Sequence, residues 1–296
     1  MTATMRSYQG LEDFIRVGDF LTETYRSEQS SNWLQARWEY MHFHPALDLF
    51  SLSHIGIWED DGQIVAVVHY EDKPGDAYFQ VRPGYEHLKL AMLLHAESHL
   101  ANCLDSGERR LRLFVSEFDK GLQTLAVERG YHCLQERPLW TSTYQTSNGV
   151  PSVSLPAGFR LSSLAEENDL QKLDRCLWRG FNHAGEPDGD LAGRKLMQAT
   201  PNWQPELNVV VVAPNGAYVS YSGIWYDRVN RVGYVEPVAT DPDYRRLGLG
   251  RAAVLECVRL CSELGATIIH VGSGQAFYEA IGFRKAWADY IWERTY

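Results

Sequence analysis

Residues 82–97, RPGYEHLKLAMLLHAE, and residues 241–256, DPDYRRLGLGRAAVLE, share one outline: turn chemistry, a tyrosine, then leucines leading into a helical pattern. At an offset of 159, Pro83 and Tyr85 fall on Pro242 and Tyr244, and Leu88 and Leu90 on Leu247 and Leu249. At an offset of 152, Gly130-Tyr131 falls on Gly282-Phe283, Trp140 on Trp292, and Thr143-Tyr144 on Thr295-Tyr296. Matches of this kind in the same element order mark an internal duplication. A chain of 296 residues is long enough for two domains of ordinary size.

The order of elements supports the duplication. In the first half a helical pattern (YQGLEDFIRVGDFLTETY) precedes SHIGIWED and QIVAVVHYE, which flank Asp60-Asp61-Gly62, a hairpin signal. DAYFQV reads as a strand, LKLAMLLHAESHLANCL as a helix, RRLRLFV as a strand, and GLQTLAVERG as a helix ended by Gly130. The second half repeats the plan. ENDLQKLDRCLWRGF is helical, LNVVVVA and YVSYSGIWY flank Pro214-Asn215-Gly216, VGYVEPVAT is a strand, and a helix, a strand and a helix follow. Hairpin-joined strands mixed with crossover helices imply an α/β protein in which each half is a mixed sheet layered by helices. The polar stretch QTSNGVPSVSLPAG at 145–158 reads as the connector, so the expected division is 1–146, a linker at 147–157, and 158–296.

Composition narrows the function classes. The chain is 45% hydrophobic and 22% charged, as expected of a globular protein, and no apolar run reaches membrane-spanning length. Its start lacks the apolar core of a secretory signal, and the five cysteines show no CxxC spacing, so a reducing, cytoplasmic setting is expected. The net charge of -10 carries no basic stripe, which argues against a nucleic-acid partner. Cys257 and Cys261, and His42 with His44, lack the further ligands a metal needs, so no metal is expected.

One segment carries chemistry. Arg245-Arg246-Leu247-Gly248-Leu249-Gly250-Arg251 leads from a strand into a helix. The first turn of a helix holds N–H groups without intrahelical partners and a partial positive charge. Bare glycines let a phosphate approach those donors, and flanking arginines add charge. A Walker loop is excluded because no Gly-Lys-Ser/Thr is present, and Ala253 replaces the third glycine of the dinucleotide fingerprint. A dinucleotide-dependent oxidoreductase also lacks the early βαβ placement it requires.

The Arg245-x-x-Gly248-x-Gly250 pattern after VEPVATDPDY resembles the coenzyme A signature of the GNAT N-acetyltransferase superfamily. GQAFYEAIGF resembles that superfamily's closing helix. The specific motifs span roughly residues 232–284, and the element order extends the resemblance over both halves. The resemblance implies two tandem GNAT-like domains, each a mostly antiparallel twisted sheet flanked by helices, the first a degenerate copy with a structural or acceptor-side role. It implies acetyl-CoA as co-substrate. Val238, Ala239 and Thr240 would pair with pantetheine, Arg246 to Arg251 would hold the pyrophosphate with Arg245 entering the loop, and Tyr278 would stand near the sulfur. The asparagine often found seven positions before that tyrosine is Val271 here, with Ser273 or Gln275 as substitutes. In the first copy Glu86, Lys89 and Ala91 stand where Arg245, Gly248 and Gly250 stand in the second. That difference implies one coenzyme per chain.

Acetyl transfer to a primary amine requires a proton acceptor, donors for the oxyanion and a proton for the leaving thiolate. Tyr278 is the expected acid, and Glu236 is either the base or a substrate anchor, on a strand face shared with Val238 and Thr240 by period-two alternation. LWRGFNHAGEPDGD at 177–190 offers Trp178, Phe181 and Glu186, which suit a small-molecule primary amine or amino-sugar through cation–π and charge contacts. A non-catalytic acyl-CoA-binding or sensing protein is the alternative.

Overall fold

The period-two and 3.6-residue patterns fold into strands and helices in the same order twice. In the computed structural model, which describes residues 3–27 and 32–296, the first run comprises β1 (Thr4–Ser7), α1 (Leu11–Thr24), α2 (Gln35–Phe43), β2 (Gly56–Asp60), β3 (Gln63–His69), β4 (Asp76–Val81), α3 (Lys89–His99), β5 (Asn102–Cys103), β6 (Arg109–Ser116), α4 (Lys120–Glu128), β7 (His132–Cys133) and β8 (Leu139–Gln145). The second comprises β9 (Arg160–Ser163), α5 (Leu170–Gly180), α6 (Ala192–Gln198), β10 (Asn208–Val212), β11 (Tyr218–Asp227), β12 (Val232–Thr240), α7 (Leu249–Glu263), β13 (Ile268–Val271), α8 (Ala276–Ala280) and β14 (Arg284–Thr295). The expected hairpins form at Asp61-Gly62 and at Asn215-Gly216, where Asp61, Gly62 and Gly216 take positive φ.

The chain divides into two units, one of residues up to Trp140 together with Trp287–Tyr296, the other Thr141–Ala286. In the first unit β1 to β4 form an antiparallel series, β4 runs parallel to β6, and β14 closes on β6 antiparallel from Asp289 to Thr295. In the second unit β9 to β12 are antiparallel, β12 runs parallel to β13, and β8 closes on β13 antiparallel. One topology therefore occurs twice, with the closing strands exchanged.

The exchange corrects the boundaries expected at 146 and 158. β8 ends the first repeat in sequence but hydrogen-bonds to β13, while β14 ends the second repeat and hydrogen-bonds to β6. The stretch 147–157 is no free connector. Val150, Val153 and Leu155 pack on the second unit's core, and the Tyr144 hydroxyl donates to the Gly149 carbonyl at 2.6 Å.

In the second unit the strands bury both faces, so β10 reads as a continuous apolar run (NVVVV) and not as an alternating one. Val254, Leu255, Cys257, Val258 and Cys261 of α7 pack with Val209, Ile224, Val235 and Ile269 on one face. Leu173, Cys176 and Leu177 of α5 pack with Val210, Val212, Tyr221 and Ala239 on the other. Each fully buried aliphatic chain stabilises by roughly 1.5–3 kcal/mol relative to exposure. Cys257 and Cys261 are thus core residues, and the Cys257 thiol donates to the Ser222 carbonyl at 3.1 Å. In the first unit His42 is similarly absorbed by packing, its ring 4.1 Å from that of Trp38.

Candidate active site

The site begins with a strand that loses its partner. β12 pairs with β13 only from Val232 to Val235, after which its edge from Glu236 to Thr240 has no ladder partner on that side. Toward β11 the register shifts: Ser222 faces Val238 and Ile224 faces Val235, so Gly223 stands opposite both Glu236 and Pro237. Pro237 cannot donate to a ladder, and a bulge is where a strand tolerates it. Gly223 is required there, because a methyl group would stand 2.8 Å from Asn208 Oδ1 and Tyr221 Oη and 3.0 Å from the Glu236 carbonyl. The Trp225 indole N–H donates to that carbonyl at 2.9 Å, and Tyr221 hydrogen-bonds Asn208 beside it.

The bulge breaks plain alternation along β12. Val235 and Val238 both pack on the α7-side core although three residues apart, which plain alternation forbids. Thr240 faces α7 as well, its hydroxyl 3.0 Å from where a methyl group on Gly250 would lie, whereas Ala239 faces α5. Glu236 sits in the bulge itself, half-buried.

Beyond Thr240 a 3-10 turn at Pro242–Tyr244 leads to the glycine loop. Arg246 (φ 67) and Gly248 (φ 79) take left-handed conformations, and Gly248 begins α7 with no side-chain cap. The first backbone donor after Arg245 with a partner is that of Ala252, which bonds Gly248 O at 3.0 Å, so the six N–H groups from Arg246 to Arg251 have no protein acceptor among the described residues. Left-handed turns and open helix starts of this kind make anion-binding concavities. The guanidinium groups of Arg246 and Arg251 likewise have no hydrogen bond or ion pair among the described residues. This cradle fits a pyrophosphate, and Leu247 and Leu249 contribute backbone donors to it. The two glycines serve different ends. Gly248 meets open space and is required by its φ, whereas Gly250 lets the first turn of α7 press against Thr240 and the Phe277 ring.

Arg245 behaves otherwise. Its Nε donates to Thr240 O at 3.2 Å, and its Nη2 donates to Gly180 O at 3.0 Å and to Asn182 Oδ1 at 2.8 Å. It is held at the C-terminal end of α5 and does not point into the loop.

Tyr278 lies on α8, 7% exposed, with its ring edge-on to Phe277 and Phe283 at 5.0 and 5.6 Å. Among the described residues its hydroxyl makes no hydrogen bond. Burial, and after it the charge of Glu236, push the phenol far above its ordinary range, so it is a neutral donor at physiological pH. The Tyr278 ring packs in one cluster with Val235 and Val238 of β12 and Val271 of β13, which puts it at the fork between those strands. Of the proposed substitutes for asparagine at Val271, Ser273 uses its hydroxyl to accept the Gln275 N–H at 3.3 Å, and Gln275 precedes α8 as its cap.

The acceptor-side residues have partners of their own. Trp178, on the last turn of α5, donates its indole N–H to the carbonyls of Ala184 and Gly185 and stacks on His183 at 4.5 Å. Glu186 pairs with Arg175 at 2.8 Å, and Phe181 is 49% exposed. Their segment reaches β12 through Gly180, where a methyl group would lie 2.6 Å from Ala239 Cβ and 3.0 Å from Thr240 N.

A network absent from the sequence reading anchors the loop. Asp241, 1% exposed, accepts Arg179 Nε at 2.6 Å and the Asp243 N–H at 3.0 Å, and Arg179 Nη2 reaches Asp243 at 2.6 Å. Burial alone would raise the Asp241 carboxyl, but the Arg179 hydrogen bond and the Asp243 N–H outweigh it and hold it below the usual carboxylate range. In sequence its only signal was an aspartate opening a turn ahead of proline.

The first unit carries a cleft of about 710 Å3 where the duplication places the corresponding loop, lined by Glu86, Lys89, Phe118, Asp119, Lys120, Thr124 and Glu128 among others. There the Glu86 carboxylate takes the Gly84 N–H, and the half-buried Lys89 pairs with Asp119 at 2.6 Å.

Known proteins share this fold. The sequence model of the acetyltransferase (GNAT) family matches residues 171–283. A mycothiol acetyltransferase from Thermobispora bispora is 25% identical over 236 residues, 75% of this chain and 76% of that protein. The GCN5-related N-acetyltransferase from Sphaerobacter thermophilus superposes with a TM-score of 0.66 at 14% identity, covering 99% of this chain and 95% of its own. The tandem GNAT protein from the clavulanic acid biosynthesis pathway superposes at 0.65 with 14% identity, covering 99% and 98%. At such identity the superpositions establish the fold alone, a tandem GNAT architecture, and the sequence model places the GNAT match within residues 171–283. Residues 171–283 thus match the GNAT acetyltransferase family, and the fold over the whole chain is that of tandem GNAT proteins.

Proposed function

We propose that the second unit transfers an acetyl group from acetyl-CoA to the primary amine of a small molecule, by direct attack with both substrates bound. The observation that carries this reading is the row of open N–H groups from Arg246 to Arg251, flanked by two unpaired guanidinium groups at the fork that also holds Glu236 and Tyr278. The relative from Thermobispora bispora is named for mycothiol, a small molecule, which favours an acceptor of that size.

Bound acetyl-CoA supplies an activated thioester. Val238, Ala239 and Thr240 offer a strand edge to its pantetheine arm, and a backbone N–H of Val238 or Ala239 stabilises the developing oxyanion. Glu236 takes the amine proton, directly or through a water, or anchors the ammonium group before it is lost. Tyr278 is neutral before the reaction because burial and Glu236 disfavour its phenolate; it passes its hydroxyl proton to the departing sulfur and regains one from the proton that the amine releases. Trp178, Phe181 and Glu186 border the acceptor from the end of α5 and the segment after it, with Phe181 presenting the more exposed of the two rings. The first unit is a degenerate copy in which carboxylates and the Lys89–Asp119 pair replace the phosphate cradle, so one coenzyme binds per chain, in a cytoplasmic protein that needs no metal.

Calorimetric titration with acetyl-CoA tests the coenzyme site. One equivalent should bind, and Gly250→Trp, whose side chain collides with Thr240 and Phe277, should abolish binding. Unchanged binding in that variant refutes the placement. A panel of amines assayed for thiol release tests the reaction, and tight coenzyme binding without turnover on any amine favours the sensor.

A further inference from the structure

We infer that Arg245 is a positioning residue that carries occupancy of the coenzyme loop to the acceptor segment after α5, and is not a ligand of the pyrophosphate. This rests on residues 246–251 being the coenzyme loop. Three arginines belong to the loop motif, and the structure divides them. Arg246 and Arg251 keep free guanidinium groups among the described residues, whereas Arg245 spends its planar fork on three acceptors. Two of those acceptors, Gly180 O and Asn182 Oδ1, lie where α5 ends and the acceptor segment begins. Asn182 is left-handed (φ 62), so the chain turns there, and the next residues are those that Trp178 pins through Ala184 and Gly185.

The second end of the connection is equally local. Arg245 is adjacent to Arg246, the first residue of the loop with an unpaired N–H, and its own N–H bonds Pro242 O at 3.3 Å. A loop whose donors lack partners is ordered by the anion that takes them. Ordering Arg246 to Arg251 also restricts the Arg245 backbone, and with it the guanidinium that holds Gly180 and Asn182. Arg179 adds a second tie over the same gap, from α5 to Asp241 and Asp243. Coenzyme binding therefore prepares the acceptor segment before any acceptor arrives. A lysine cannot replace Arg245, since a single ammonium lacks the fork that reaches Thr240, Gly180 and Asn182 together.

Hydrogen exchange on the full chain, with acetyl-CoA as the only probe, tests this alongside calorimetry. In the wild-type protein acetyl-CoA should slow exchange about tenfold or more in peptides covering 246–252 and also in those covering 181–187. In Arg245→Met the slowing at 246–252 should persist, the slowing at 181–187 should disappear, and Kd should stay within about threefold. Arg245→Lys should behave like Arg245→Met. Asn182→Gly keeps the left-handed turn and deletes the acceptor, so it should uncouple the segment from the other side and guards against misfolding of the arginine variants. Slowing at 181–187 that survives in Arg245→Met and Asn182→Gly overturns the inference. So does a Kd for Arg245→Met raised about a hundredfold with slowing at 246–252 lost, which would make Arg245 a phosphate ligand. A wild-type protein that neither binds acetyl-CoA nor changes its exchange overturns the coenzyme reading itself, and the inference with it.

Discussion

Asp241→Asn is the sharpest perturbation of the glycine loop that touches no proposed ligand. Asp241 is 1% exposed and accepts from Arg179 and from the Asp243 N–H. Asparagine keeps an oxygen for the Asp243 N–H, so the turn cap survives, but it removes the charge facing Arg179. A charge-assisted hydrogen bond contributes about 1.5–3 kcal/mol. Arg179 is 22% exposed and retains Asp243, so part of this is recovered and a loss of about 1.5–2.5 kcal/mol is expected. For a chain of this size that lowers Tm by roughly 3–10 °C. Arg179→Met should cost at least as much, because it leaves a buried carboxylate whose next cation, Arg175, stands 3.7 Å away. In the double variant the two losses should overlap by about 1–2 kcal/mol. The sign of the pH dependence is also set. Folding depresses the Asp241 pKa, so its stabilisation is complete above the unfolded value of about 3.9 and vanishes as pH falls through the lower folded value. The deficit of Asp241→Asn should therefore be flat from about pH 5 to 8. Denaturant and thermal unfolding of the four proteins, with the acetyl-CoA Kd of each, measure all of this. Losses that simply add, or a single variant within about 0.5 kcal/mol of wild type, refute the reasoning.

Tyr278→Phe should lower kcat by about 10²–10⁴-fold and leave the KM for acetyl-CoA nearly unchanged, because only the proton on its hydroxyl is removed. A parallel rise in that KM would make Tyr278 a binding residue instead. Glu236→Gln separates base from anchor: loss of kcat together with the acidic limb of its pH profile marks a base, whereas a raised acceptor KM with the limb intact marks an anchor. His69 and His270 are fully buried, and burial lowers their pKa to about 3 and about 4. The unfolded chain, with histidines near 6.5, then takes up protons first, so stability falls as pH drops from about 6.5 toward 4, by up to about 3 kcal/mol for His270. Substituting His270→Gln should flatten that part of the curve in pH-dependent denaturant melts, and an unchanged slope contradicts it.

What the sequence showed, and what it hid, follows the reach of each interaction. The open donors of the glycine loop were legible because they belong to the backbone of six consecutive residues, and local sequence determines where those N–H groups point. The duplicated topology was legible too, since period and turn signals recur in order. The closing strands were not: β8 and β14 carry matching residues, Trp140 with Trp292 and Thr143-Tyr144 with Thr295-Tyr296, so either pattern fits either sheet. The bulge at Glu236–Pro237 was written in advance by two residues that disfavour a regular ladder, a proline in β12 and a glycine in β11. Only the register shows that they stand opposite each other. Arg245, Trp178 and Glu186 share that difficulty. Each has the side chain its expected role requires, and each is held by partners that residue type and spacing alone did not single out. A motif therefore transmits backbone geometry faithfully and side-chain roles poorly. For that reason the loop's open donors are firmer ground for the coenzyme than any of its arginines.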